Sequence, residues 1–223
     1  MISILIPCYN EETTISTVIE DFHRYLPDAI IYVYDNNCTD NTMKIASKYN
    51  YVVTGRCYIQ GKGATVKKMF REINSDLYIL VDGDTTYSAK YVNRMLTQQL
   101  ANKYDMVICN RLLKRNMSLS HIIGNKLVNF LIRLLYHKKI PDVMTGYRLL
   151  TRDFVKNIDI KSKGFELETE MTIYAITNNY KIGSIPIKYN KRPKESKSKI
   201  HTIKDGYRIL KFIVNHPDLR LTP

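Results

Sequence analysis

A chain of 223 residues that is 44% hydrophobic and 25% charged can bury one sizeable core, which excludes wholesale disorder. Its four cysteines, Cys8, Cys38, Cys57 and Cys109, form no C-x-x-C pair; this argues against a zinc site or a disulfide framework, and reduced, cytoplasmic thiols are expected. The net charge of +13 is unevenly placed: between Lys181 and Lys211 ten Lys/Arg stand against only Glu195 and Asp205, a stretch suited to phosphate on a nucleic acid, an anionic lipid or a phosphorylated substrate.

The apolar run Ile2–Ile6 is too short for a secretory signal and reads as a buried strand ended by Pro7. Ile15, Val18, Ile19 and Phe22 follow helical spacing. Ile30–Tyr34 predicts a second strand, DNNCTDNT a polar turn, then a helix to about Tyr49 and a short strand at Tyr51–Val53. Val66, Met69, Phe70 and Ile73 mark a helix, Leu77–Val81 a strand, Val92, Met95, Leu96 and Leu100 a helix, and Met106–Cys109 a strand. Beyond a basic loop at Arg111–Ser120, a helix is predicted near Ile122–Tyr136, then a loop from Pro141 leading into a strand by Leu150. A helix at Phe165–Thr177, a strand at Ile182–Tyr189, a Lys/Ser-rich loop at Pro193–Lys199 and a helix at Ile203–Val214 complete the series. No window approaches the roughly 20 apolar residues of a membrane span. Neither repeat nor linker is evident, so residues 1–223 read as one domain.

Single helices between strands predict an α/β fold with a mostly parallel central sheet flanked by helices. Ligands of such sheets bind at the carboxyl ends of the strands. Those ends carry Pro7–Glu11, Asp35–Asn37 and Asp82–Asp84.

In LVDGDTTY (80–87), Asp82 and Asp84 flank Gly83 directly after an apolar strand. Two carboxylates so placed suit a hard cation, Mg2+ or Mn2+, that bridges protein to a substrate diphosphate; the bland alternative is an ordinary polar turn. In IPCYNEETT (6–14), Tyr9 suits stacking on a base and Glu11 or Asn10 hydrogen bonding to it or its ribose, while Asn10 equally suits a helix N-cap. Asp35 and Asn36 suit the polar edge of a base, with Thr39 or Asp40 as helix caps. GRCYIQGKG (55–63) fails as an ATPase phosphate loop, since its glycine spacing is wrong and Gly63 stands where Ser or Thr should hold magnesium. Gly61 and Gly63 still permit close approach of backbone to a substrate, with Lys62 near a phosphate. In the helix near 122–136, Lys126, Asn129, Arg133 and His137 form one narrow polar stripe on an otherwise apolar rod. That pattern fits either a buried helix or one lying in a membrane interface, and the adjacent Lys114 and Arg115 favour the interface.

Together these segments resemble the family-2 glycosyltransferases of the GT-A fold, in the branch of dolichol-phosphate mannose synthase and polyprenyl-phosphate glycosyltransferases. The resemblance rests on IPCYNEE, DNNCTDNT, GKGATVKKMF, LVDGDTTY, DVMTGYRLL, GFELETEMT and IPIKYNKRPKESKSK, in that order along nearly the whole chain. It implies that Pro7, Tyr9 and Glu11 hold the nucleotide, with Asp35 and Asn36 at the base and Asp82 and Asp84 at the metal and diphosphate. Arg148, after Thr145 and Gly146, is implied at a phosphate of donor or acceptor, together with Arg192 and Lys199. Glu170 matches a family glutamate, and Glu168 lies close by on the acceptor side. Three departures stand out: Asp35-Asn36-Asn37-Cys38 replaces the usual D-D-G-S, an extra residue makes Lys197 an alternative to Lys199, and the membrane-spanning helices of many relatives do not follow.

The implied reaction is inverting transfer of a sugar from a UDP- or GDP-sugar to a polyprenyl or dolichyl phosphate, by a protein peripheral to the cytoplasmic face of a membrane. Residues 1–110 would form the nucleotide-sugar half and 111–223 the acceptor half. A phosphate oxygen is already anionic near neutral pH and needs little base catalysis; positioning and charge neutralisation suffice. A sugar hydroxyl as acceptor would instead need a base, with Asp142 or Glu168 as candidates. A nucleic-acid partner is not expected, because no binding motif accompanies the charge. A sugar nucleotidyltransferase is disfavoured because PCYNEE replaces its glycine-rich loop.

Overall fold

The computed structural model describes residues 1–112, 116–117, 119–193 and 202–215, with side chains of the last stretch from 205 to 214. Lys114, Arg115, Lys197 and Lys199 lie outside the described residues. In chain order the elements are β1 (Ile2–Cys8), α1 (Ile15–Tyr25), β2 (Ile30–Asp35), α2 (Thr42–Ala46), β3 (Val52–Arg56), α3 (Lys62–Glu72), β4 (Leu77–Leu80), α4 (Val92–Asn102) and β5 (Met106–Arg111). There follow α5 (Leu119–Tyr136), β6 (Arg148–Thr151), α6 (Arg152–Asn157), α7 (Leu167–Thr177), β7 (Ile182–Ile187) and α8 (Thr202–Asn215).

The seven strands form one sheet in the order β3-β2-β1-β4-β6-β5-β7. All pairings are parallel except those of β6, which runs antiparallel to both β4 and β5. The expected α/β architecture with a mostly parallel sheet is therefore present. The chain builds outward from β1 to β3, then returns to β1's other side with β4. That reversal is a topological switch point, where the connections diverge and leave a crevice at the strand ends.

The sheet is buried on both faces, as a parallel sheet must be. Along β1, Ile4 and Ile6 enter a core with Ile15, Val18, Ile19 and Phe22 of α1 and Met95 of α4. Leu5 points the other way, into a core shared by Val66 and Met69 of α3, Val128 and Ile132 of α5, Met171 of α7 and Ile209 of α8. The period-2 alternation of a strand sends neighbouring side chains to opposite faces. The i, i+3, i+4, i+7 spacing of α1 gathers its four apolar residues on one stripe. Pro27, just after Leu26, stops α1, since a residue before proline is kept out of helical geometry.

Helix α5 is buried along one face and exposed along the other. Asn125, Val128, Ile132 and Tyr136 are buried, while Leu119, Ile123, Leu127, Phe130 and Leu134 are exposed. Asn129, expected on the outward polar stripe, instead bridges Pro141 O and the Val143 amide at 2.9 and 3.0 Å. Among the described residues no helix is long and apolar enough to cross a membrane.

Candidate active site

The ends of β1, β2 and β4 meet at one edge of the sheet, in register: Cys8 lies beside Asp35, and Leu5 beside Leu80. The loops leaving them are held by side chains acting as backbone partners. Thr42 Oγ1 accepts the Glu11 amide at 2.8 Å, and Asp40 accepts the amides of Glu12 and Thr42. Asp40 thus braces the turn just before α2, whose N-cap position is Asn41. Asn10, at φ +54°, exchanges hydrogen bonds with Thr39 and does not cap α1. Asp35 Oδ1 accepts the Cys38 amide at 2.6 Å and its Oδ2 lies 3.3 Å from Arg56.

Directly after β4 the chain turns through Asp82, Gly83 and Asp84. Asp84 Oδ1 accepts the amide and hydroxyl of Thr86, at 3.0 and 2.5 Å, and its Oδ2 is ion-paired with Arg192. Thr85 between them sits at φ +62°, an uncommon conformation for a β-branched residue and a sign of local strain in this turn. Asn190 straps this turn from outside, its amide and side chain donating to Thr86 O and Thr85 O. Burial, then the neighbouring Asp82, pushes the Asp84 carboxyl up, against the pull of Arg192 and Thr86.

Lys62, at the start of α3, reaches between two carboxylates: Asp82 Oδ1 at 2.5 Å and Glu168 Oε1 at 2.7 Å. Burial pulls its ammonium down, but Asp82 and Glu168 outweigh this and hold it above the ordinary lysine value. Gly61 lines the cavity described below, but the side-chain positions of both glycines beside Lys62 face the chain's own backbone. A β-carbon on Gly61 would lie 2.0 Å from Lys163 O, and one on Gly63 2.5 Å from Ser162 O. The room is filled by the chain's own 161–164 loop, which Glu170 and Glu166 shape by accepting its four successive amides.

A cavity of about 980 Å³ opens above this edge. Of the residues singled out in the sequence, Pro7, Tyr9, Glu11, Asn36, Gly61, Lys62, Asp82, Gly83, Asp84, Gly146, Glu168 and Arg192 line it. Asn10, Asp35, Asp142, Thr145, Arg148 and Glu170 are not among its lining residues. Arg148 is the clearest correction. It is 0% exposed, and its guanidinium donates to Thr145 O at 3.0 Å, Val143 O at 2.5 Å and Thr172 Oγ1 at 3.0 Å. It braces the 143–146 loop from beneath and does not reach the cavity. Asp142 is likewise removed from the cavity by a two-pronged pair with Arg111, at 2.7 Å to each oxygen, and by Asn125 at 3.0 Å.

Arg111 itself, at the end of β5, lines the cavity and lies 5.4 Å from the ring centre of Tyr189. Sequence reasoning passed over it, although its place at a strand end was the available signal. Lys161, Lys163, Arg208 and Lys211 were missed as well and also line the cavity. The last two stand on α8, where only the general basic character of the stretch pointed to them.

A divalent metal fits this rim by the chemistry of its donors. Asp82 and Asp84 present hard carboxylate oxygens from one strand end, and the Asp82 side chain stays 29% exposed. Among the described residues no cluster of three or more His, Cys, Asp or Glu forms a closed metal cage. One or two carboxylates completed by substrate phosphates is the usual manner of Mg2+ and of similar hard ions.

The sequence pattern of Glycosyl transferase family 2 matches residues 3–159, well over half of the chain and the whole acidic edge of the sheet. The chain is a family 2 glycosyltransferase. This glycosyltransferase is 31% identical to glycosyltransferase AglJ of Haloferax volcanii over 92% of its own length and 68% of the relative's. It is 24% identical to polyprenol monophosphomannose synthase of Mycolicibacterium smegmatis, over 85% and 77% of the two chains. In fold, the glycosyltransferase is similar to glucosyl-3-phosphoglycerate synthase of Mycobacterium tuberculosis, solved with Mn2+, UDP-glucose and phosphoglyceric acid. That match has a TM-score of 0.82 at 16% identity and covers 100% of this chain and 81% of that one.

Proposed function

We propose that this glycosyltransferase moves a sugar, with inversion, from a UDP- or GDP-sugar to the phosphate of a polyprenyl or dolichyl lipid, working peripherally at the cytoplasmic face of a membrane. The observation that carries this reading is the ion pairing of the cavity's carboxylates. Asp82 and Glu168 share Lys62, and Asp84 and Glu11 share Arg192. With their oxygens turned toward cations, these carboxylates are not set to take a proton from a hydroxyl, so the site suits an acceptor that is already anionic. The cations Arg111, Lys161, Lys163, Arg208 and Lys211 around the same cavity suit two phosphorylated ligands. The name of the mycobacterial relative, a polyprenol monophosphate enzyme, supports the same acceptor class.

In this reading residues 1–110 bind the donor. Pro7, Tyr9 and Glu11 flank the nucleoside, with Asn36 at the floor and Asp35 and Asn10 shaping the loops that hold it. Gly83 lets Asp82 and Asp84 turn toward the diphosphate. Bound Mg2+ or Mn2+ on Asp82 and Asp84 would stabilise the charge gathering on the departing diphosphate. Residues 111–223 supply the acceptor side: Arg192 and Lys199 meet phosphate, Gly146 forms the wall beside Asp82 with Thr145 buried next to it, and Arg148 and Glu170 position loops from behind. Nucleic acid is not a partner in this scheme.

Purified protein is incubated with polyprenyl phosphate, Mg2+ or Mn2+, and a panel of labelled UDP- and GDP-sugars, and label is counted in the organic phase. Label from one donor, lost with chelator or in Asp84→Ala, supports the reading; unchanged transfer in Asp84→Ala overturns it. A second reading keeps the donor and takes a glycan hydroxyl as acceptor. Of its two candidate bases, Asp142 is locked onto Arg111 while Glu168 lines the cavity, so Glu168 would carry it. Donor consumption with a soluble sugar acceptor and no organic-phase label would favour that version.

A further inference from the structure

Tyr87 closes the LVDGDTTY motif, on the same turn as Asp82 and Asp84. It is buried and forms part of the cavity wall. Its ring is held edge-on between two others, with centres 5.2 Å from Tyr189 and 5.6 Å from Tyr147. Tyr147 in turn meets Phe22 of α1 edge-on at 5.8 Å. The turn itself is fixed as well: Asp84 Oδ1 accepts the Thr86 amide, and Asn190 donates to Thr85 O and Thr86 O. Tyr87 is thus held in a set relation to the two rim aspartates.

The phenol oxygen accepts the Gly146 amide at 3.0 Å and lies 3.4 Å from Thr145 Oγ1, with no other hydrogen-bond partner among the described residues. The polar groups of the loop are divided between two side chains. Arg148 takes the carbonyls of Val143 and Thr145 from beneath, and Tyr87 takes the amide of Gly146. The α-carbon placed in this way stands against Asp82 Oδ2, too close to leave room for a β-carbon. Lys62 meets the other oxygen, Oδ1. A carboxylate turns easily about its last torsion, so a half-exposed aspartate needs a stop on each side to keep one orientation. Gly146 is one of those stops, and Tyr87 sets where it stands. Ring packing alone does not ask for this hydroxyl. Tyr147, next in the chain to Gly146 and in the same aromatic cluster, carries a buried hydroxyl that has no partner among the described residues. The cluster therefore contains one hydroxyl that holds the loop and one that holds nothing.

We propose that Tyr87 is a positioning residue for the transfer reaction: through the Gly146 amide, its hydroxyl fixes the wall that orients the Asp82 carboxylate at the metal rim. Only the metal rests on the function proposed above; the positioning of Asp82 does not.

Three variants test this. Tyr87→Phe removes the hydroxyl and keeps the ring, Tyr147→Phe makes the same change on the neighbouring ring, and Gly146→Ala displaces Asp82 directly. Turnover is measured with polyprenyl phosphate and the UDP- and GDP-sugar panel, below the melting temperature of every variant. Mn2+ binding in the presence of UDP or GDP is followed by titration calorimetry. Loss of an outer partner of a metal-ligating group typically costs about 10–100-fold in metal affinity or activity. Tyr87→Phe is therefore expected to lose about tenfold or more in both turnover and Mn2+ affinity, whereas Tyr147→Phe keeps wild-type values. The double variant Tyr87→Phe/Gly146→Ala should turn over about as fast as Gly146→Ala alone, because residues acting through one contact do not add. Losses that multiply would overturn the proposal, as would wild-type turnover in Tyr87→Phe or an equal loss in Tyr147→Phe. Turnover that needs no divalent metal, yet falls in Tyr87→Phe without adding to Gly146→Ala, would remove the metal and leave Tyr87 positioning Asp82.

Discussion

The α-carbon of Gly146 packs directly against the carboxylate of Asp82: a β-carbon added there would lie 2.5 Å from Oδ2. It would also come within 2.9 Å of Lys62 Nζ. Both obstacles are ends of flexible side chains, so Gly146→Ala is expected to fold with a near-normal melting temperature while displacing Asp82. Misplacement of a reacting group by about 1 Å commonly costs about 10²-fold in rate. Turnover should fall by about that much, with Mn2+-dependent nucleotide binding weakened in titration calorimetry. Wild-type turnover in this variant would show that Asp82 does not need its present place.

Lys62 neutralises two carboxylates while itself only 11% exposed. Removing one partner of such a buried group leaves uncompensated charge and costs up to about 3–5 kcal/mol. Lys62→Met should therefore be destabilised in denaturant titration. A divalent cation answers the same charge, so Mn2+ should raise the melting temperature of this variant more than that of the wild type. Equal thermal shifts would separate Lys62 from the metal rim.

Arg148 answers to a different measurement. Its guanidinium satisfies Thr145 O and Val143 O inside the core. Arg148→Met keeps most of the volume but strands those carbonyls, and a loss of about 2–4 kcal/mol is expected by denaturant unfolding. A direct phosphate ligand would behave in the opposite way, with stability kept and acceptor affinity lost.

His121 sits partly buried in the field of two cavity arginines. Burial, then Arg111 and Arg192, holds its imidazole below the ordinary histidine value. The unfolded chain therefore takes up this proton at a higher pH than the folded one. Folding stability from this residue is intact above about pH 6.5 and declines as pH falls from there through the lowered folded value. His121→Gln should lose less melting temperature than the wild type between about pH 7 and pH 5, and parallel curves would refute the sign.

The strands and helices of the first half were legible because their periods are strong: α1 and α3 lie where the spacing of apolar residues put them. Asp82, Asp84, Glu11 and Lys62 were also legible, since a strand end fixes which edge its last residues reach. Short α6 escaped notice because six residues carry too little periodicity, although Thr151 caps it through the Phe154 amide. Strand direction is not encoded in hydrophobic pattern at all, so the antiparallel run of β6 was invisible. Arg148 was misplaced for a related reason. Its role at a phosphate was implied by the family resemblance alone, and only the contact of β6 with Thr172 of α7 reveals that its side chain points into the core. The pairing of Arg111 with Asp142 depends on a contact that spacing cannot announce.

The insertion of β6 between β4 and β5 has a consequence for synthesis. While the ribosome has yet to deliver Arg148–Thr151, β4 has an open edge and β5 lacks both of its neighbours, β6 and β7. Unpaired strand edges invite foreign pairing, and domains generally fold as units once the whole of their partners have emerged. The sheet therefore closes late, and Gly146 reaches the Asp82 rim, with Arg148 bracing its loop from beneath, in the same step that seals it. A half-made chain offers chaperones an edge to guard and still lacks Gly146, which packs beside Asp82.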